Sequence, residues 1–296
     1  MKRVWKWLAA IALALLVMGA GLAEEAYLPL EAAEGMDSAA VEWLDLGARY
    51  RTVDQVIAIL DRYPNLRAVN MFATPVGYRS VEKLEARYPG ITFGWTLWVG
   101  DHKVRTDATA FSTLHYSTSE THGMRDLNLL RYCHQLRALD IGHNGCDDLS
   151  FVEELPELRV LIVAVNRLTD ITPLASLSNL EYLEIFSNHI TDISPLKGLT
   201  HLMDLNIAYN DIADFSPLYE MPWLKRLWMY NSVQRDRRTP VPQEVLDTLA
   251  EKLPDTLVNA VNNPSEGGWR EHPHFDVIHA MFRPPLEQYV PFEDSY

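Results

Sequence analysis

The sequence predicts an α/β solenoid: a curved parallel β-sheet wound from short stacked turns, with 3₁₀-like segments on the convex side and helical flanking caps. Three observations carry this. Five segments begin 22 residues apart, at Leu136, Leu158, Leu180, Leu202 and Leu224. Within them the apolar columns Leu139, Leu161, Leu183, Leu205, Leu227 and Ile141, Val163, Ile185, Ile207, Met229 alternate as in a strand buried on one side. An asparagine then recurs in a fixed column, at Asn144, Asn166, Asn188 and Asn210. One such strand cannot bury its apolar face alone, whereas stacked turns share a continuous core.

At the N-terminus, Lys2, Arg3 and Lys6 precede an uncharged run from Leu8 to Ala23, and Gly21-Leu22-Ala23 places small residues at −3 and −1 ahead of Glu24-Glu25. That order predicts a secretory signal peptide over residues 1–23. The run is shorter than the roughly 20 residues needed to span hydrocarbon, and no later segment is long and apolar enough to span. An uncleaved N-terminal anchor is the alternative, and it too places the remaining chain outside the cytoplasm.

Residues 24–40 are assigned to a linker and 41–128 to an irregular, repeat-like N-terminal capping region. Val41–Leu46 and Leu66–Met71 read as strands, with helical spacing through Val53, Val56, Ile57 and Leu60 between them. A third unit begins near Ile91 after a helix at Ser80–Tyr88. Asp107–Tyr116 reads as an extra strand without an assignable register.

Residues 129–231 hold the repeats. The Asn column is expected to satisfy backbone groups that would be buried unpaired where each strand turns inward. Asp148, Asp170, Asp192 and Asp214 also recur once per repeat, where a carboxylate accepts backbone N–H groups. Thr172-Pro173-Leu174, Ser194-Pro195-Leu196 and Ser216-Pro217-Leu218 predict a hydroxyl N-cap before a proline at the first helical position. The unit, clearest over 180–199, resembles the leucine-rich repeat, and its Asn-x-Ile-x-Asp-Ile-Ser-Pro-Leu form is similar to the bacterial internalin type. The resemblance covers about a third of the chain. It implies binding of a protein partner on the concave face of the sheet, although fold likeness alone does not fix function.

Residues 232–282 are expected to form a C-terminal cap. It comprises a helix at Pro242–Lys252, a strand at Leu257–Val261, and Trp269 with Phe275–Phe282 over the end repeat. Residues 283–296, with Pro284, Pro285 and Pro291, are expected to be a flexible tail.

Without residues 1–23 the chain keeps 23 of its 26 Lys+Arg against 40 Asp+Glu, a formal charge of −17. Such a surface disfavours nucleic acid and anionic membrane. Cys133 falls in the column of Leu155, Leu177, Leu199 and Met221, and Cys146 in that of Leu168, Ile190 and Ile212. Both are therefore read as buried thiols in core slots, with a disulfide as the alternative if the side chains meet at bonding geometry.

No phosphate loop, nucleophile elbow or His-Glu-x-x-His is present, and no catalytic, cofactor or metal residue is assigned. His272-Pro273-His274 lacks companions for a four-ligand site, and the Asp column lacks the dense oxygen set of a calcium loop. An enzyme would have to draw on Asp101, His102, Asp107, His115 and His122.

The outward positions of the strands carry the functional expectation. They run Ala138, Asp140, Gly142; Val160, Ile162, Ala164; Tyr182, Glu184, Phe186; Asp204, Asn206, Ala208; Arg226, Trp228, Tyr230. Tyr182, Glu184, Phe186, Asn206, Arg226, Trp228 and Tyr230 form the expected partner-binding strip, because clustered Trp, Tyr and Arg compose interaction hot spots. A secreted or cell-surface protein-recognition module is the leading reading, and a cell-envelope glycan module using the same aromatics is the alternative. Two further readings are a cap or tail folded back over Trp228 and Tyr230, and a structural spacer without a ligand.

Overall fold

The computed structural model describes residues 27–75, 77–114, 127–230, 240–260, 269, 274–283 and 288–292. The expected signal peptide lies outside them. The chain divides into two compact units, one ending at Leu97 and the other beginning at Trp98.

In the first unit, β1 (Leu28–Pro29) leads into the one-turn helix α1 (Leu30–Ala33). Then come β2 (Trp43–Asp45), α2 (Val53–Leu60), β3 (Ala68–Asn70), α3 (Tyr78–Arg87) and β4 (Thr92–Gly94). The four strands form a parallel sheet in chain order, with Leu44, Val69 and Phe93 buried side by side. A capping box starts α2: the Thr52 hydroxyl accepts from the Gln55 N–H, and the Gln55 side chain accepts from the Thr52 N–H. This helix buries Val56 and Leu60, while α3 buries Val81 and Leu84. The stretch assigned to a linker is structured where it is described, because the Leu28 backbone pairs with Leu44 and α1 buries Leu30 and Ala33.

The second unit opens with a two-stranded sheet of β5 (Thr96–Val99), which crosses the boundary, and β6 (His102–Arg105). Gly100 turns the chain between them at φ 58°, a conformation favourable to glycine. A seven-stranded parallel sheet follows: β7 (Ala110–Ser112), β8 (Ala138–Asp140), β9 (Val160–Ile162), β10 (Tyr182–Glu184), β11 (Asp204–Asn206), β12 (Arg226–Trp228) and β13 (Leu257–Asn259), adjacent in chain order. The 22-residue spacing becomes register: Leu139, Leu161, Leu183, Leu205 and Leu227 stand side by side, all fully buried. The extra strand expected within Asp107–Tyr116 is β7, with Phe111 beside Leu139.

Between strands the chain returns through five-residue 3₁₀ turns at Ser150–Glu154, Thr172–Ser176, Ser194–Gly198 and Ser216–Glu220. The hydroxyl N-caps expected there are replaced by carboxylate caps. Asp170, Asp192 and Asp214 accept the N–H two residues on, at 2.8 Å each, so Thr172, Ser194 and Ser216 are the first residues of the turns. A carboxylate two residues upstream reaches an unpaired N–H with a stronger, charge-assisted acceptor than a hydroxyl.

The Asn column forms a ladder. Asn188 Nδ2 donates to Ile185 O (3.0 Å) and Phe186 O (3.4 Å) of its own turn, and to Val163 O (3.1 Å) of the preceding one. Its Oδ1 accepts from Leu168 N at 3.0 Å. Asn166 and Asn210 repeat the pattern.

Cys133 and Cys146 are buried and free, with burial pushing their thiols up to about 12 and about 11. The disulfide alternative is therefore not realised. Beyond the repeats, α4 (Gln243–Lys252) lies beside the turn Ser216–Glu220 and buries Leu249. The last helix is α5 (Phe275–Ala280). Among the described residues no helix is long and apolar enough to cross a membrane.

Replacing Asn188 by Ala strands the buried Leu168 N–H and removes one of the two donors on each of Val163 O, Ile185 O and Phe186 O, which keep Asn166 Nδ2, Asn210 Nδ2 and Val165 N. Urea denaturation is expected to show a loss of about 2 kcal/mol, and a loss below about 1 kcal/mol would mean that the column does not hold the turns.

Candidate functional site: the concave face of the sheet

Strand alternation places all seven expected strip residues on the sheet face opposite the leucine core, and there the exposure expected of them fails. Tyr182, Glu184, Asn206, Arg226 and Trp228 are buried, and Phe186 and Tyr230 are half-buried. The cover is the chain's own C-terminal segment. Trp269, Ile278, Met281 and Phe282 form one apolar cluster with Ala110, Ala138, Val160, Ile162, Ala164, Tyr182 and Trp228. Phe275, Val277, Tyr289, Val290 and Phe292 pack against it. The described part of the tail, expected to be flexible, is thus seated on the sheet, with Tyr289 N donating to Thr109 Oγ1 at 3.1 Å. The physical reason is apolar area. Val160, Ile162 and Ala164 beside Tyr182 and Trp228 make a contiguous patch that water solvates poorly.

Trp269 is the centre of the cover. Its ring lies 5.2 Å from Tyr182 and 4.8 Å from Trp228, the latter edge-on at 79°. These are favourable aromatic geometries. Between those two strands Asn206 turns its oxygen to Ala208 N at 3.2 Å, holding the backbone where the strand ends.

Charge is buried beneath the cover. Arg226 Nε donates to Asp204 Oδ1, and its Nη2 lies 3.3 Å from Oδ2. The same Oδ2 is 2.7 Å from His274 Nδ1, which is itself 3.2 Å from Arg226 Nη2. Asp204, Arg226 and His274 are all at least 97% buried. The Tyr182 hydroxyl donates to the Glu184 carboxylate, which has His279 Nε2 4.0 Å away. Burial, followed by the neighbouring Glu184 charge, pushes the Tyr182 hydroxyl well above its ordinary range. Two histidines of the C-terminal segment therefore face two carboxylates of the sheet. In the hydrogen-bonded Asp204–Arg226–His274 cluster the desolvation of the buried ions offsets much of their attraction.

The other residues weighed from sequence are distributed differently. Asp101, His102 and Asp107 line a cleft of about 620 Å³ together with Trp98, Lys103, Phe111, Met281 and Phe282. Asp107 is held there by Arg105 Nε and Nη2, at 2.8 and 2.6 Å. Lys103 sits 4.7 Å above the exposed Trp98 ring. His115, His122 and His272 lie outside the described residues. Among the described residues no group of three or more His, Cys, Asp or Glu side chains is arranged to hold a metal ion.

Sequence reasoning placed Trp269 and Phe275–Phe282 over the end repeat and gave a cap or tail folded back over Trp228 and Tyr230 as the alternative, and the structure realises the alternative. Two signals pointed to it. Apolar residues occupied outward positions at β9, and the small residues Ala110, Ala138 and Ala164 left room on the same face for incoming side chains.

The stacked parallel strands, the Asn ladder and the 3₁₀ returns define a leucine-rich-repeat protein. Residues 156–198 match the family described as Leucine Rich repeats (2 copies), and residues 198–214 match a further Leucine Rich repeat family. The search of curated proteins finds no match. Among solved structures the chain is similar to an internalin (inlF) from Listeria monocytogenes, at 25% identity and a TM-score of 0.42, covering 74% of this chain and 54% of that one. It is also similar to internalin C2 (inlC2) of the same organism, at 22% identity and a TM-score of 0.39, covering 78% and 83%. The functional domain of InlJ from Listeria monocytogenes follows at 18% identity and a TM-score of 0.36, covering 58% and 41%. The chain thus spans about half the length of the first of these.

Asp140, on the same face, provides a pH test. It accepts from Gly142 N and from Ser112 Oγ, both at 3.1 Å, and burial pushes its carboxyl from 3.8 up to about 6. A raised carboxyl favours the protonated form in the folded state. The penalty is therefore absent below pH 3.8, grows as pH rises and is complete above about 6. Asp140→Asn removes it, so the stability difference between variant and parent should move in the variant's favour by roughly 3 kcal/mol between pH 3.5 and pH 8. A pH-independent difference in thermal melts would contradict this burial effect.

Proposed function

We propose that this chain is an exported protein-recognition module whose concave sheet face, with Tyr182, Glu184, Phe186, Asn206, Arg226, Trp228 and Tyr230 as contacts, receives a protein partner in competition with its own C-terminal segment. One observation carries the reading: the face already holds a polypeptide, through an aromatic centre and a buried Asp204–Arg226–His274 cluster. Central aromatic and arginine anchors sealed from water are the anatomy of a protein interface. Stacked repeats supply a rigid, extended sheet on which such anchors are preorganised. The signal-peptide pattern of residues 1–23 and the acidic mature chain support export and a neutral or cationic partner. No catalytic role is assigned to the chain.

The test compares the parent chain with an Ile278→Asp/Phe282→Asp variant, which weakens the cover without touching the seven contacts. Both are immobilised and exposed to extracellular and envelope fractions treated with protease or with glycosidases. The variant is expected to capture protease-sensitive material that the parent captures at least tenfold less, and adding Trp228→Ala should abolish the gain. Capture lost only after glycosidase treatment would replace the protein partner by a glycan. Equal capture by all three chains would remove the concave face from consideration.

A further inference from the structure

Resting on that reading, the geometry points to the partner's class: we propose that the concave face is a receptor for a short amphipathic α-helix supplied in trans, and that residues 274–282 are its resident stand-in.

The contacts have the pattern of a helix laid in a groove. In α5 and the residues that follow it, Phe275, Ile278, Met281 and Phe282 recur at spacings of three and four, so they share one face. Ile278 and Met281 are fully buried and Phe282 nearly so, while Asp276, Ala280 and Arg283 on the opposite side are exposed. Immediately before the first apolar position, His274 seats on the Asp204 carboxylate that Arg226 orients. A partner fitting the same face needs those apolar positions and a hydrogen-bond donor one residue ahead of them.

Two further features mark the segment as an occupant rather than a layer of the core. The strand-to-strand hydrogen bonds of the sheet are made by the repeats themselves, for example Ile185 N to Asn206 O and Ile207 N to Trp228 O, both at 2.9 Å. The sheet is therefore complete without the cover. A six-residue helix is also far below the length at which an isolated helix holds in water, so α5 is helical because the sheet makes it so. Ordering a segment on contact is the behaviour of a ligand. Tethering by the same chain raises its local concentration, and an external helix meets a face that is open for only part of the time, which weakens its apparent affinity by that fraction.

The probe is a labelled peptide of residues 269–292 of this chain, titrated by fluorescence anisotropy into the full-length parent and into the Ile278→Asp/Phe282→Asp chain. The peptide is expected to bind the variant at least tenfold more tightly than the parent, and His274→Ala or Ile278→Asp peptides should lose that binding. A variant that keeps the parent's circular dichroism yet binds the peptide no better than the parent would overturn the inference. Should the variant fail to fold, hydrogen exchange on the parent decides. Amides of 275–282 are expected to exchange at least tenfold faster than those of Leu183 and Leu205, and equal protection would make the cover part of the core and sink the idea. Peptide binding without capture of any extracellular protein would leave the helix receptor standing and remove the external partner. Protein capture that the peptide does not compete would do the reverse.

Discussion

The fold depends on how each turn satisfies its backbone where it leaves the sheet. At that corner the strand ladder has ended and water is excluded, so every N–H and C=O must find a partner inside the protein. One asparagine per turn does this, donating to carbonyls of its own turn and the preceding one while accepting from a preceding N–H. Because its reach spans two consecutive turns, it forces them into one register, and an insertion between columns would break it. The geometry has a cost. His143, Val165, Ser187 and Tyr209, each just before an Asn, sit at φ between 56° and 61°, a left-handed conformation costing on the order of 1 kcal/mol for a side chain with a Cβ. That a β-branched valine is held there shows the hydrogen-bond pattern overriding local preference.

Register then decides the character of the concave face. Positions 22 residues apart stand side by side, so the column Ala138, Val160, Tyr182, Asp204 and Arg226 runs across the face from small apolar side chains to large and charged ones. Ala110 and Ala138 lie next to one another, and Tyr182 and Arg226 flank Asp204 on either side. Such a face is too apolar to be left wet. Covering it with Trp269, Ile278, Met281 and Phe282 stabilises by about 1.5–3 kcal/mol per large side chain, against a backbone ordering cost of about 1–2 kcal/mol per residue. The balance is small compared with that of the leucine core beneath, where every turn buries several fully enclosed side chains. The polar cluster does not enlarge it much, since the attraction of Asp204 for Arg226 and His274 is offset by their desolvation. Its effect is on where the segment sits: His274 Nδ1 lies 2.7 Å from Asp204 Oδ2, beside the 3.3 Å approach of Arg226 Nη2 to the same oxygen.

The sequence by itself determined the repeat, the strand positions, the core columns and the two cysteine slots, because all of these follow from periodicity. A residue's side of a strand is set by parity, and its neighbours in a stack by the 22-residue spacing; neither needs long-range information. Parity also put Tyr182, Glu184, Phe186, Asn206, Arg226, Trp228 and Tyr230 on the face opposite the leucine core. What only the tertiary structure decided is whether that face meets solvent, and the reason is physical. The cover comes from Trp269 and residues 274–292, separated in the chain from Tyr182 by 87 residues or more and joined to the sheet by side-chain packing and a buried charge cluster. Such contacts have no period, and no local rule links His274 to Asp204, 70 residues apart. Apolar outward residues at β9 disclosed that something must cover the sheet. Which segment did so, and that it brought a histidine to a buried carboxylate, depended on where the chain led after its last strand.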